Sequence, residues 1–176
     1  MRRVLVAGAG NIFLSDDAFG VEVARRLADI PVPDGVEIAD VGIRGVHLAY
    51  QLLDGYDLLI LVDALQRGGE PGTVYLIEPD LDAAAPVCGG DPGQPPVDAH
   101  GMTPDAVFAT LKSLGGTVGK ALVVGCEPAD LSEGIGLSPV VAAAVQPAAE
   151  TVLDLLAETA VPNMPDRDHY LKIRKM

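Results

Sequence analysis

The sequence predicts a three-layer α/β/α sandwich around a mixed five-stranded sheet, mostly parallel with one antiparallel strand. Short apolar runs rich in β-branched residues alternate with segments whose apolar positions recur every three or four residues. The most apolar run, DLLILVD from Asp57 to Asp63, has the composition of a central strand covered on both faces. One connection, RGGEPG before Thr73, is too short for a parallel crossover and therefore predicts the antiparallel strand.

Taken in order, Arg3 to Gly8 reads as the first strand, and a helix from about Asp17 to Ile30 follows, with Phe19, Val23, Leu27 and Ile30 on one face. PVPDG breaks the chain before a second strand, Val36 to Val41, which places Asp40 at its carboxyl end. Gly42, Arg44 and Gly45 turn the chain into a second helix carrying Val46, Leu48, Leu52 and Leu53. The third strand ends at Asp63; the fourth, Thr73 to Glu78, is expected at an edge. From Pro79 to Ala99 the chain has no periodicity and is broken by Pro79, Pro86, Pro92, Pro95 and Pro96, which predicts a functional loop ending at His100. A helix from about Thr103 to Leu114, with Pro104 in its first turn, leads to a fifth strand, Lys120 to Cys126. Ser138 and Pro139 open a long helix to about Ala157, in which Pro147 is expected to introduce a kink. Residues 1–160 read as a single domain and 161–176 as a frayed tail.

A chain of 176 residues with 49% hydrophobic content suits one well-buried domain. Its formal charge of -13 repels nucleic acid and anionic membrane surfaces. No apolar run reads as long enough to span a bilayer and the N-terminus lacks a secretion signal, so a cytoplasmic protein is expected. Cys88 and Cys126 stand alone, which predicts neither a disulfide framework nor a zinc ribbon.

In an open α/β sheet, ligands collect outside the carboxyl ends of the strands where strand order reverses. Asp17, Asp40, Asp63, His100 and the loop after Cys126 all fall at that edge. Asp16 and Asp17 lie at a helix start, where carboxylates are electrostatically favoured and where Ser15 or Asp16 would serve as an ordinary N-cap. A dinucleotide site fits poorly: Gly8 and Gly10 begin a glycine fingerprint, but its third position is Phe13, and two carboxylates would face the pyrophosphate. A phosphoacceptor receiver module fits better but needs a lysine after the fifth strand, where the chain reads Gly125-Cys126-Glu127-Pro128. In a third reading, Asp17, Asp63 and His100 offer two oxygens and one nitrogen to a metal, a donor set open to nickel, zinc, manganese or iron. Gly8 and Gly10 then serve backbone geometry, and His47 and His169 carry no role.

The segment GNIFLSDDAFGVEVARRL resembles the GN-x-L-x-x-D-[DE]-x-x-G-x-x-V opening of the hydrogenase maturation endopeptidases. DVGIRG is similar to their D-x-G-x-x-G segment, LLILVDAL to their strand ending in a ligand aspartate, and DAHGMTPDAVFATL to their histidine segment before a helix. VVGCEPADLSEGIGLSPVV is similar to their G-[IV]-[EQ]-P segment with S-P-x-V beyond it. The resemblance runs in order from Val4 to about Leu156. It implies a phosphorylase/hydrolase-like fold with an antiparallel fourth strand, and a peptidase domain over residues 1–160. It implies an aspartic-type, nickel-dependent endopeptidase that trims the C-terminal extension of a nickel-iron hydrogenase large-subunit precursor after nickel insertion. By matched position Asp17, Asp63 and His100 are the implied ligands of a nickel ion presented by the substrate, and Asp17, Asp63 and Asp40 are the implied catalytic residues. Asp40 matches an aspartate linked to recognition or cleavage. A metal-gated binding module or chaperone for the same precursor would keep these residues without cleaving.

Overall fold

The computed structural model describes residues 2–81 and 104–160. Its strands are β1 (Val4–Ala9), β2 (Val36–Gly42), β3 (Leu58–Ala64), β4 (Val74–Ile77) and β5 (Lys120–Cys126). Its helices are α1 (Phe19–Ala28), α2 (Gly45–Leu52), α3 (Pro104–Ser113) and α4 (Pro139–Ala160). The sheet order is β2-β1-β3-β5-β4; β1, β2, β3 and β5 are parallel, and β4 runs antiparallel to β5 at the edge. The predicted fold class and the direction of the fourth strand are therefore observed.

Alternation along the central strands divides the core into two layers. Val4 and Val6 of β1 with Leu58, Ile60 and Val62 of β3 pack against Phe19, Val23 and Leu27 of α1 and Val152 and Leu156 of α4. Leu5 and Ala7 of β1 with Leu59 and Leu61 of β3 face Leu48 and Leu52 of α2 and Phe108 and Leu111 of α3. Because both faces are covered, β1 and the interior of β3 have no exposed position, whereas the edge strands β2 and β4 are largely half-exposed. The chain leaves β1 for β2 on one side and returns to β3 on the other, so the order reverses between β1 and β3.

Several local expectations change. The first helix does not begin at Asp17: Ser15–Ala18 forms a 3-10 turn, and α1 follows from Phe19. Neither that turn nor α1 has a side-chain N-cap, so the capping role expected of Ser15 or Asp16 is absent; the carboxylate of Asp16 reaches elsewhere. On α2, Leu48 and Leu52 are buried but Val46 is exposed, and Leu53 lies beyond the helix and is also exposed. Eight residues of helix have one inward stripe, and positions 46 and 53 fall outside it.

Helix α4 continues through Pro147 for 22 residues. Proline has no N–H for the carbonyl of Ala143, four residues earlier, and Ala143 lies on the exposed face where water can satisfy it. By length and composition the stretch Pro139–Thr159 is apolar enough to cross a membrane, contrary to the sequence expectation. Its face bearing Val141, Ala148, Val152 and Leu156 is buried against the sheet and α1, which makes it a core helix of this fold.

Two glycines let α1 sit on the sheet. A Cβ on Gly8 would collide with the Gly20 carbonyl, and a Cβ on Gly20 with the carbonyls of Val62 and Ala9. These obstacles are backbone and cannot swing away. Gly20→Ala is therefore expected to cost about 3 kcal/mol, a fall in thermal midpoint of about 10 °C, measurable by calorimetry; an unchanged midpoint would contradict this packing.

Candidate functional site

The chain leaving β1 is held by bonds that look outward from the sheet. Gly10 has φ +136, and its N–H donates to the Gly42 carbonyl at 3.0 Å, tying the loop to the end of β2. Any side chain at Gly10 would also strike the Asp17 carbonyl. The Asn11 N–H donates to Asp17 Oδ2 at 2.7 Å, while Asn11 Oδ1 accepts the N–H of Phe13 at 3.0 Å. Gly8 and Gly10 thus serve close packing and backbone geometry, as the sequence predicts.

Asp16 and Asp17 are adjacent but occupy opposite environments. Asp16 is fully buried, and its carboxylate accepts the N–H groups of Ala129 (2.8 Å), Asp130 (2.9 Å) and Ser138 (2.6 Å) and the Ser138 hydroxyl (2.9 Å). Burial alone would raise its pKa, but these donors outweigh it and hold the group below the ordinary aspartate value. Backbone bonds extend the same seam: Asp16 N–H to Asp130, Ser15 N–H to Gly134 and Gly134 N–H to Phe13. Ser15 takes φ +49 to make the turn, and its hydroxyl donates to the Ser132 carbonyl. Asp17 is half-buried, and its charge acts on Asp63 at the carboxyl edge of the sheet.

Asp63 ends β3 opposite Gly125 of β5 and is 6% exposed. It accepts the N–H of Ala64 at 2.8 Å. Burial, with the negative charge of Asp17 added, pushes its pKa up to about 8. No lysine or arginine among the described residues pairs with either carboxylate.

Asp40 stands at the end of β2, with Oδ2 3.6 Å from Arg25 Nε and a side chain 40% exposed. Its carbonyl accepts from Arg44. It belongs to the same sheet edge but to its outer rim. His47 lies on the exposed surface of α2. His100, with Cys88, His169 and residues 82–99 of the segment expected to form a functional loop, lies outside the described residues.

Glu127 is a residue whose part the sequence does not reveal. It is 5% exposed, accepts the N–H groups of Arg67 (2.9 Å) and Gly68 (3.1 Å) and the Tyr75 hydroxyl (2.8 Å), and so fixes the loop that starts just after Asp63. An acid directly after an apolar strand and before Pro128 is the only signal for it. Burial and the neighbouring charges of Asp16 and Glu127 push the Cys126 thiol up to about 12, so this free cysteine is a core residue and not a nucleophile.

Asp17 and Asp63 therefore make an acidic pair at the topological switch point with no cation beside them among the described residues. Oxygen donors whose charges repel one another suit a divalent metal. Among the described residues no group of three or more His, Cys, Asp or Glu side chains gathers in metal-binding geometry. The pair supplies two donors, and the third expected donor is outside the described residues.

Residues 21–155 match the family model of the hydrogenase maturation proteases. The Hydrogenase 2 maturation protease of Escherichia coli is 34% identical over 165 residues, spanning 93% of this chain and 96% of that protein. A putative hydrogenase maturation protease of Methanocaldococcus jannaschii is 34% identical over 156 residues, 86% and 95% of the two chains. The solved structure of the hydrogenase maturating endopeptidase HybD from E. coli superposes with a TM-score of 0.73 at 32% identity, covering 89% of this chain and 93% of its own.

The two buried aspartates predict opposite pH dependences. Asp16, held below its unfolded value, stabilises the fold above about pH 4, and that contribution is lost as pH falls through its folded pKa. Asp16→Ala should leave its donors unpaired at about 1–3 kcal/mol each, seen as a lower urea midpoint at pH 7 and a flattened acid limb. Asp63 acts in reverse: its contribution is complete below about pH 4 and is lost as pH rises through about 8. Metal-free Asp63→Asn should therefore melt higher than the parent protein at pH 8 and gain less at pH 5; an equal gain at both would contradict the assignment.

Proposed function

Because the chain belongs to the hydrogenase maturation protease family, we propose that it removes the C-terminal extension of a nickel-iron hydrogenase large-subunit precursor once nickel has been inserted. The observation that carries this reading is the Asp17 and Asp63 pair: two carboxylates at the switch point, one of them buried, with no cation from the described residues to balance them. Such a pair suits capture of a divalent ion that arrives with the substrate. His100, expected from the sequence to follow the long loop, completes the proposed ligand set.

The nickel ion is part of the substrate and supplies Lewis acidity next to the bond to be cut. Asp17 and Asp63 hold the precursor by that ion, so a precursor without nickel gains little from the site and is left uncut. This makes binding a check on metal insertion and also places the scissile bond. A carboxylate then assists the attacking water, which gives the reaction its aspartic character. Asp40, exposed and beside Arg25, suits recognition of the precursor at the rim more than proton transfer at the bond. Asp16 and Glu127 hold loops on either side of the pair and touch no substrate in this scheme.

Mixing the purified protein with nickel-loaded and nickel-free precursor and measuring precursor mass tests the proposal. Loss of a C-terminal peptide is expected only in the nickel-loaded sample, and Asp63→Asn should abolish it while remaining folded. Stable binding without any change in mass would instead support the metal-gated binding module, and normal processing by Asp63→Asn would refute the ligand assignment.

A further inference from the structure

Two side chains beside the site have no part in this chemistry. Phe13 is 61% exposed and Ile135 85%, the highest values of any large hydrophobic residue described. Fully burying such a side chain is worth about 1.5–3 kcal/mol. Single exposed apolar residues are ordinary, but these two, 122 positions apart in the chain, stand on one seam. The Phe13 carbonyl accepts the Gly134 N–H at 2.9 Å, the Ser15 N–H donates to the Gly134 carbonyl at 3.0 Å, and Leu14 bridges Gly134.

The seam is rigid, and it is joined to the acidic pair. Asn11, whose side chain accepts the Phe13 N–H, donates its own N–H to Asp17. Ser138, three residues beyond Ile135, is gripped twice by the buried Asp16. Neighbours that would shield Ile135 are missing: it sits between Gly134 and Gly136, and a Cβ at Gly136 would meet nothing within 4 Å. The fold thus holds two apolar side chains out in water, at fixed positions, next to a proposed ligand.

The occupant follows from charge and from the site. A second copy of this chain would bring another net charge of -13 against a rim that already carries Asp130 and Glu133. A polypeptide drawn to Asp17 by its metal, by contrast, must pass beside this seam and presents side chains of its own. We infer that Phe13 and Ile135 form an apolar clamp for a hydrophobic side chain of the precursor segment flanking the scissile bond. This rests on the processing reading above and adds to it a determinant of substrate choice that is independent of the metal.

The test uses the full chain with nickel-loaded precursor, comparing the parent protein with Phe13→Ser, Ile135→Ser and the double variant. Both side chains are exposed, so the variants should melt at or above the parent midpoint. The double variant should raise KM about tenfold or more while kcat stays within about twofold, and Phe13→Leu with Ile135→Leu should restore KM. An unchanged KM, or a loss of kcat alone, would overturn the clamp, as would a change confined to self-association on ultracentrifugation. A parent protein that leaves the precursor whole would overturn the processing reading itself, an outcome visible before any variant is compared.

Discussion

The carboxylate of Asp16 is the interaction on which the site depends. It joins the turn after β1 to the loop after β5 and to the first residue before α4, three segments that no strand or helix ladder would hold together. A buried charge is tolerable only when its lone pairs are filled, and here backbone N–H groups fill them without needing a counter-ion. Because those donors belong to loop backbone, one side chain sets loop geometry that apolar packing alone would leave loose.

The contrast with its neighbours shows how one residue type performs opposite tasks. Asp16 is surrounded by donors and keeps its charge; Asp63, almost as buried, has a backbone N–H from Ala64 and the repulsion of Asp17. Separating titratable groups by environment in this way is how a fold divides structural from reactive acids. Glu127 repeats the structural solution on the other side, so that the Asp17 and Asp63 pair lies between two anchored loops.

Much of the framework is legible in the sequence because it follows from periodicity. The fully apolar DLLILVD gives the central strand, Lys120 to Cys126 is found at its predicted bounds, and the short link before Thr73 forces β4 to turn back. The position of Asp63 at the switch point follows from element order alone. What periodicity cannot reveal is which of two adjacent acids turns inward, since that depends on a 3-10 turn and on Ser15 at positive φ. Nor does pattern predict that Glu127 is solvated by a loop sixty residues earlier, or that Val46 and Leu53 miss the inward stripe of so short a helix. The exposure of Phe13 is hidden for the same reason: it depends on the turn and loop geometry around it, not on any apolar periodicity.

The seam between residues 13–16 and 129–138 also orders events during synthesis. Its partners are separated by more than a hundred residues, a contact that forms late because the intervening chain must first be closed. On the ribosome, β1 and α1 emerge well before Ala129, and Asp16 has none of its four donors until Ala129 and Asp130 arrive and lacks the other two until Ser138 follows. The nascent chain therefore carries an unassembled edge until residues 127–138 have been made, and only then does the acidic pair acquire its flanking loops.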